Sequence, residues 1–183
     1  MIIFMGVAGS GKSVQGKMLA DELALPWLST GEFLRMLIAG EQRREMLSGK
    51  LLDDQQIITL VRKIFAVIDV RNEFVLDGFP RSTPQADWLL GEVRHGQLRV
   101  SAVIHLQASE DAVTRRLLGR GRPDDNEAAI RERFEEYEES IKPILAHFKQ
   151  ADIPVCDIDA EQEPAVVHQH ILAALQGANV HAG

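Results

Sequence analysis

The fold is decided by residues 2–13, which read I-I-F-M-G-V-A-G-S-G-K-S. The apolar run Ile2–Met5 predicts a buried strand, and Gly6–Ser13 fits the pattern G-x-x-x-x-G-K-[ST]. Glycines let such a loop bend until successive backbone N–H groups point at one anion, and the N-terminus of the following helix adds partial positive charge. The stretch therefore predicts a phosphate-binding loop, in which Lys12 reaches the β/γ-phosphates of a nucleotide and Ser13 helps to hold Mg²⁺. The alternative is a strand–helix turn without a ligand.

The rest of the chain alternates between two kinds of segment. Short apolar runs that predict strands lie at residues 2–5, 26–28, 74–76, 100–106 and 154–158. Segments with helical spacing lie at residues 12–23, 31–39, 53–70, 84–94, 110–118, 125–149 and 164–175. Pro143 is expected to kink or divide the sixth of them. Strands interleaved with helices indicate parallel βαβ units, so we predict an α/β fold: a three-layer sandwich of the P-loop NTPase type, with a five-stranded parallel sheet and helices on both faces.

Length and composition favour a single domain over residues 1–183 and exclude several classes of partner. The chain has 183 residues, 45% hydrophobic and 26% charged, with a formal net charge of −7. An acidic chain without a long basic run is not expected to bind nucleic acid or an anionic membrane. The single cysteine allows no internal disulfide, and neither a signal peptide nor a spanning apolar run is seen. We therefore expect a cytoplasmic protein.

Two downstream motifs narrow the function. Residues 28–35 read L-S-T-G-E-F-L-R and follow the second predicted strand, and residues 77–85 read D-G-F-P-R-S-T-P-Q and follow the third. Together with the phosphate loop, they resemble the adenylate kinases within the nucleoside monophosphate kinases, from residue 2 to about residue 149. The D-G-F-P-R run is the most specific part of this resemblance. It implies a monomeric ATP:AMP phosphotransferase that uses Mg²⁺ and reversibly gives two ADP.

The resemblance also implies the acceptor site, within an AMP-binding subsegment at residues 30–52 and beyond it. The residues implied for the acceptor are Thr30, Gly31, Arg35, Lys50, Leu52, Gly78, Arg81, Gln85, Arg122 and Arg133. Arg35 and Arg81 would hold the α-phosphate, because a guanidinium group presents a planar fork of donors to phosphate oxygens. The amide of Gln85 can donate and accept at once, which suits the N6/N1 edge of adenine. The related UMP/CMP kinases typically have Ala in place of Thr30 and Asn in place of Gln85, so both residues favour AMP.

The donor site and the catalytic groups are implied in the same way. The residues implied for ATP are Gly9, Ser10, Gly11, Lys12, Ser13, Val14, Arg116 and Arg120, and the catalytic residues are Lys12, Arg81, Arg120, Arg122 and Arg133. Ser13 and Asp77 are the metal residues, Asp77 acting through water. For each arginine of the cluster at residues 115–133 the alternative is a surface salt bridge, which is the favoured interpretation of Arg131, whereas for Arg35 it is a solvated helix face. The alternative for Asp77 is a turn-capping carboxylate.

The sequence departs from the family pattern in three places. Adenylate kinases usually have G-K-G-T where Gly11–Val14 reads G-K-S-V, so the hydroxyl is moved by one position. The acceptor-binding insertion between Arg35 and Gly49 is shorter than the family's. Only Gly121 separates Arg120 from Arg122, so residues 119–125 form a minimal lid. That lid lacks the cysteines that a zinc site would need.

Two other functions stay open at this point. One is a related kinase that uses CMP, UMP, dAMP or another small acceptor; the loop also resembles that of gluconate kinases, although residues 77–85 do not fit that family. The other is a non-catalytic nucleotide sensor that kept the fold. Glu161 and Glu163 give no functional signal.

Overall fold

The computed structural model describes residues 1–37, 40, 53–121 and 126–178 of the chain. The strands within these residues are β1 Ile2–Met5, β2 Trp27–Ser29, β3 Val75–Asp77, β4 Ala102–Gln107 and β5 Val155–Asp159. The helices are α1 Lys12–Glu22, α2 Thr30–Leu37, α3 Asp54–Phe65, α4 Thr83–Arg94, α5 Glu110–Arg120, α6 Glu127–Gln150 and α7 Pro164–Gly177. None of these helices is both long enough and apolar enough to cross a bilayer.

The strands form one parallel sheet in the order β2-β3-β1-β4-β5. Ile2 in the central strand β1 pairs with Val75 of β3 on one side and with Ala102 of β4 on the other. The chain therefore runs from β1 to the edge strand β2, returns to β3 beside β1, and then crosses to β4 and β5 on the other side of β1. In such sheets the crevice outside the carboxyl ends, where the winding reverses, is the usual ligand site. The predicted α/β architecture with five parallel strands is confirmed.

Alternate side chains of β1 enter two separate parts of the core. Ile3 and Met5 pack with residues of α3, α4 and α6 on one face of the sheet. Ile2 and Phe4 pack with residues of α1 and α7 on the other face. Because successive strand residues point to opposite faces, a strand apolar at every position requires cover on both sides. These two core clusters make the three layers that the sequence predicts.

Two helices differ from their predicted form. Of the kink or division predicted at Pro143, the division is wrong, since α6 runs on through this residue to Gln150. Ile141, Ile144 and Phe148 are buried on either side of the proline, and their packing stabilises the helix despite the missing backbone donor.

The predicted helix at residues 53–70 ends earlier than expected. It stops at Phe65, and the chain then turns where the side chain of Asp69 accepts a hydrogen bond from the backbone N–H of Arg71, 3.2 Å away. Aspartate competes for local backbone donors in this way and favours turns over helix interiors. The apolar residues after Phe65 continue the helical spacing without continuing the helix.

Candidate active site

The loop between β1 and α1 has a backbone that packing and glycine geometry hold in place. Gly9 has a φ of +88°, and a Cβ at this position would lie 2.9 Å from Cγ of Leu117 in α5. The neighbouring Ser10 is buried, and its N–H donates to the carbonyl oxygen of Val7 at 3.1 Å. A left-handed backbone with no room for a side chain admits only glycine. The loop therefore has the shape of a phosphate cradle.

The ammonium group of Lys12 lies against this loop. Its Nζ donates to the carbonyl oxygens of Gly6 and Val7, at 2.6 Å and 2.8 Å. Lys12 is the first residue of α1, so the helix N-terminus adds partial positive charge at the same place. The two features together make this end of the sheet attractive to an anion.

The pKa of Lys12 is shifted by burial and by charged groups that are far from it in the sequence but near it in the fold. The pKa of Lys12 is lowered from 10.5 to about 8, chiefly by burial; the carboxylate of Asp77 opposes this shift, and the positive charges of Arg81 and Arg120 add to it. Arg81 follows β3 and Arg120 ends α5. Cationic groups from three separate segments therefore act on one another, and an anionic ligand would relieve this repulsion.

Asp77 and Ser13 form a pair of oxygen groups beside Lys12. The hydroxyl of Ser13 donates to Oδ2 of Asp77 at 2.7 Å, and Asp77 is buried at the carboxyl end of β3. β1 and β3 are neighbours in the sheet, so the start of α1, just after the loop that follows β1, comes close to the last residue of β3. The hydroxyl of Ser13, which comes one residue earlier than the threonine of the usual G-K-G-T pattern, thus contacts the carboxylate of Asp77.

The turn after β3 holds Arg81 and Thr30 at close quarters. Gly78 has a φ of +83°, and a Cβ here would lie 2.9 Å from Nη2 of Arg81 and 3.0 Å from Oγ1 of Thr30. Its carbonyl oxygen accepts from Nε of Arg81 at 2.7 Å and from Oγ1 of Thr30 at 2.9 Å. Glycine is required at this position by both the backbone angle and the space. The turn thereby fixes the direction of the Arg81 side chain.

Two guanidinium groups meet above Gly31 in the first turn of α2. A Cβ at Gly31 would lie 3.4 Å from Nη1 of Arg35 and 3.4 Å from Nη2 of Arg81. Arg81 faces the solvent of the cavity, yet the surrounding protein desolvates it and lowers its pKa; the charge of Arg133 acts in the same direction and that of Asp77 against it. Like charges gathered in this way suit a bound phosphate.

A cavity of about 920 Å³ joins these groups. Its lining includes every predicted site residue that the structure describes: Gly9, Ser10, Gly11, Lys12, Ser13, Val14, Thr30, Gly31, Arg35, Asp77, Gly78, Arg81, Gln85, Arg116, Arg120 and Arg133. The predicted site residues Lys50, Leu52 and Arg122 lie outside the described residues. The volume is at the upper end of the range for small-molecule sites, as two nucleotides would need.

One wall of the cavity was missed by sequence reasoning. Residues 160–164 follow β5 and line the cavity, although the sequence assigned no functional signal to Glu161 or Glu163. Nη2 of Arg116 donates to the carbonyl oxygen of Ala160 at 2.8 Å, and Nε2 of Gln15 donates to that of Pro164 at 2.8 Å. The sequence carried one signal for this wall: the segment follows the carboxyl end of a predicted parallel strand, where ligand sites of such sheets lie.

The opposite wall contains a second missed group. Asp54 and Ser82 line the cavity beside Gln85. Gln85 is buried, its Oε1 accepts from the backbone N–H of Arg81 at 2.8 Å, and its Nε2 donates to Oδ1 of Asp54 at 2.8 Å. Asp54 has no motif of its own in the sequence, since an acidic residue in the first turn of a helix is common.

Arg131 behaves as the salt-bridge interpretation predicts. Its Nε lies 3.6 Å from Oε1 of Glu135 and 3.9 Å from Oε1 of Glu110, and its side chain is exposed. It is not among the residues that line the 920 Å³ cavity. The arginines of this region therefore divide into those that line the cavity and at least one that serves the surface.

A doubly wound parallel sheet, with a phosphate loop after its central strand and a cationic cavity at its carboxyl edge, defines a P-loop nucleotide-binding protein. A family model described as adenylate kinase matches residues 4–153. Adenylate kinase of Corynebacterium urealyticum is 37% identical over 180 residues, which cover 95% of this chain and 98% of the relative. Adenylate kinase 1 of Synechocystis sp. is 39% identical over 158 residues (81% and 83%), and adenylate kinase of Rhodopirellula baltica is 36% identical over 181 residues (95% and 94%). The chain belongs to the adenylate kinase family.

Proposed function

We propose that this protein catalyses the reversible transfer of the γ-phosphoryl group of ATP to AMP, giving two ADP. The family supports this reaction class. The observation that carries the proposal is the single cavity lined both by Lys12 on the phosphate loop and by the guanidinium pair of Arg35 and Arg81. One cavity with two cationic ends can hold a donor and an acceptor in contact.

The reaction needs positioning and charge stabilisation more than covalent chemistry. An oxygen of the AMP phosphate forms a bond to the γ-phosphorus, while the bond from that phosphorus to the β,γ-bridging oxygen breaks. The electron pair of the broken bond stays with the bridging oxygen, so both nucleotides leave as ADP. Charge develops on the phosphoryl oxygens during this step, and fixed cations stabilise it.

The cationic residues of the cavity divide this work by their positions. We assign the β/γ-phosphates of ATP to the loop amides and Lys12, and the α-phosphate of AMP to Arg35 and Arg81. Arg120 and Arg133 line the same cavity, and we assign to them the clamping of the phosphate groups during transfer. We propose the same clamping role for Arg122, which lies outside the described residues. Holding both reactants in line converts a bimolecular step into an effectively unimolecular one.

The donor set beside Lys12 fits Mg²⁺. Mg²⁺ prefers hard oxygen ligands and is usually bound through one or two protein oxygens together with phosphates and water. The hydroxyl of Ser13 and the carboxylate of Asp77, 2.7 Å apart, are such oxygens at the edge of the cavity. A bound Mg²⁺ would neutralise charge on the β- and γ-phosphates. Ser13 would take it directly or through water, and Asp77 through water.

We propose AMP as the preferred acceptor and a cytoplasmic monomer as the active form. Thr30 and Gln85 line the acceptor end, and the amide of Gln85 can both donate to and accept from an adenine edge. Lys12, Arg35 and Arg81 of one chain already supply cationic groups to both ends of the cavity, so the proposed reaction needs no residue from a second copy. The free Cys156 fits a reducing compartment.

The test is an assay of purified protein with Mg-ATP and a panel of nucleoside monophosphates, in which diphosphate products are measured. We expect the highest kcat/KM with AMP, and we expect Lys12→Ala or Arg81→Ala to remove most of it. Preferential turnover of CMP or UMP would overturn the choice of acceptor. Binding of ATP without turnover of any acceptor would support a nucleotide sensor instead.

A further inference from the structure

The side chain of Gln85 is held at both ends by the protein. It is only 4% exposed and lies in the first turn of α4, on the wall of the cavity. Oε1 accepts from the backbone N–H of Arg81 at 2.8 Å, and Nε2 donates to Oδ1 of Asp54 at 2.8 Å. Both bonds are short enough to constrain the amide.

The chemistry of these two partners allows only one orientation of the amide. A carboxylate accepts and cannot donate, whereas a backbone N–H donates and cannot accept. If the amide of Gln85 turned by half a rotation, its oxygen would face the oxygen of Asp54, and its NH₂ group would face the N–H of Arg81. Both hydrogen bonds would be replaced by repulsive contacts. The orientation therefore follows from the partners themselves.

Asp54 is itself positioned for this contact. The hydroxyl of Ser82 donates to the same Oδ1 at 2.7 Å, and Asp54 is the first residue of α3, where the helix dipole favours a negative charge. The preceding Asp53 has a different task, since it caps α3 by accepting from the N–H of Gln55 at 3.2 Å. Asp53 does not line the cavity. Of the two neighbouring carboxylates, Asp53 thus caps the helix and Asp54 lines the cavity.

The locked amide has a consequence for base selection. After its two bonds to the protein, the amide of Gln85 keeps one N–H and one oxygen lone pair for a ligand. The adenine edge presents an acceptor at N1 and a donor at N6, whereas a 6-oxopurine presents a donor at N1 and an acceptor at O6. An amide that is free to turn could match either arrangement of donor and acceptor on the base, but a fixed amide matches only one of the two. A wrong pairing leaves buried polar groups unsatisfied, which is a strong basis for rejection.

We propose that Asp54 is a specificity-determining residue that locks the amide of Gln85 in the order that accepts adenine and rejects 6-oxopurines. Asp54 acts through Gln85, so it is a positioning residue. This inference rests on the proposed function, in which AMP is the acceptor and Gln85 faces its base.

The test compares kcat/KM for AMP and for IMP in the wild type, Asp54→Ala and the matched control Asp53→Ala. IMP is chosen because its base differs from adenine only at the N1/C6 edge. Alanine removes the oxygen that accepts from Nε2 of Gln85, so Asp54→Ala removes one of the two constraints on the amide. We expect the AMP:IMP ratio to fall about tenfold in Asp54→Ala, with the KM for ATP unchanged. Asp53→Ala is expected to keep the wild-type ratio.

The outcomes separate the inference from the function on which it rests. An AMP:IMP ratio in Asp54→Ala within twofold of wild type, or an equal fall in Asp53→Ala, would overturn the role of Asp54. A wild type that does not turn over AMP would instead refute the proposed function. Asp54→Leu serves as a second variant if Asp54→Ala unfolds, because it fills the space of the carboxylate and also lacks an acceptor for Nε2 of Gln85. It is expected to lower the ratio as well, and an unchanged ratio there would equally overturn the role of Asp54.

Discussion

The two ends of the cavity are built in different ways. The phosphate-binding part of the donor end is formed by one continuous stretch, in which the loop after β1 bends around Lys12 and presents backbone groups. The acceptor end is formed by side chains from separate segments, since Arg35 comes from α2 and Arg81 from the turn after β3, and the two meet over Gly31. Local backbone geometry makes the first site, and tertiary structure makes the second.

This difference indicates how each site would tolerate change. A backbone cradle depends on glycines and on helix position, so most side-chain substitutions around it leave its donors in place. A side-chain clamp loses its ligand geometry when a single guanidinium group is altered. Substitutions at the acceptor end should therefore affect AMP much more than ATP.

The largest expected effect is that of Arg81→Lys. Lysine keeps the charge but loses the planar fork, so we expect kcat/KM for AMP to fall by about 10²–10³. The Kd for ATP should change by less than about threefold, because the loop around Lys12 is untouched. Arg71→Lys is the matched control, since Arg71 is exposed and bonded to Asp69 away from the cavity. Steady-state kinetics and ATP titration check both numbers, and an equal loss for both nucleotides would contradict separate ends.

A smaller effect is expected for Gly78→Ala, with Gly96→Ala as its control. Both glycines have a positive φ, +83° and +70°, so both substitutions should cost about 1–2 kcal/mol of backbone strain. Only the Cβ at Gly78 meets Nη2 of Arg81, at 2.9 Å, whereas the Cβ at Gly96 has no neighbour within 4 Å. We expect Gly78→Ala to lose more free energy of unfolding than Gly96→Ala, because its Cβ also lies 3.0 Å from Oγ1 of Thr30, and we expect about a tenfold rise in the KM for AMP in Gly78→Ala alone. If the KM rises equally in Gly96→Ala, strain and not contact with Arg81 is the cause.

The smallest expected effect is a pH dependence of ATP binding at the donor end. The pKa of Lys12 is lowered to about 8 without a ligand, and phosphate oxygens beside Nζ should raise it again. ATP binding above pH 8 should therefore take up a proton, and the Kd should rise by up to about tenfold per pH unit between that pKa and the raised one. Below about pH 7 this dependence on Lys12 should vanish, because the ammonium is protonated in both states.

Calorimetry in buffers of different ionisation enthalpy measures this proton uptake. Uptake of about one proton at a pH well above 8 is expected for the wild type, and none for Lys12→Met. Equal uptake in both proteins would show that another group titrates.

The sequence predicts the donor end nearly completely and the acceptor end only with the help of the family. The phosphate loop is a contiguous pattern after an apolar strand, so its elements and its Lys12 can be inferred from local rules. The grouping of Arg35 with Arg81 depends on where α2 and β3 lie in the sheet, which no local pattern encodes. Asp54 was missed for the same reason, since its contact with Gln85 joins residues 31 positions apart. The helix likewise continues through Pro143 because core packing outweighs the low helix propensity of proline, which no local pattern predicts.

The central claim is that a donor phosphate on the Lys12 loop and an acceptor phosphate on Arg81 meet in one cavity. The most direct test follows the label of γ-labelled ATP during incubation with AMP and Mg²⁺. The account predicts that the label appears in the β-phosphate of ADP, with two ADP formed for each ATP consumed and little inorganic phosphate released. Release of the label as inorganic phosphate, or ATP binding without any transfer to AMP, would contradict it.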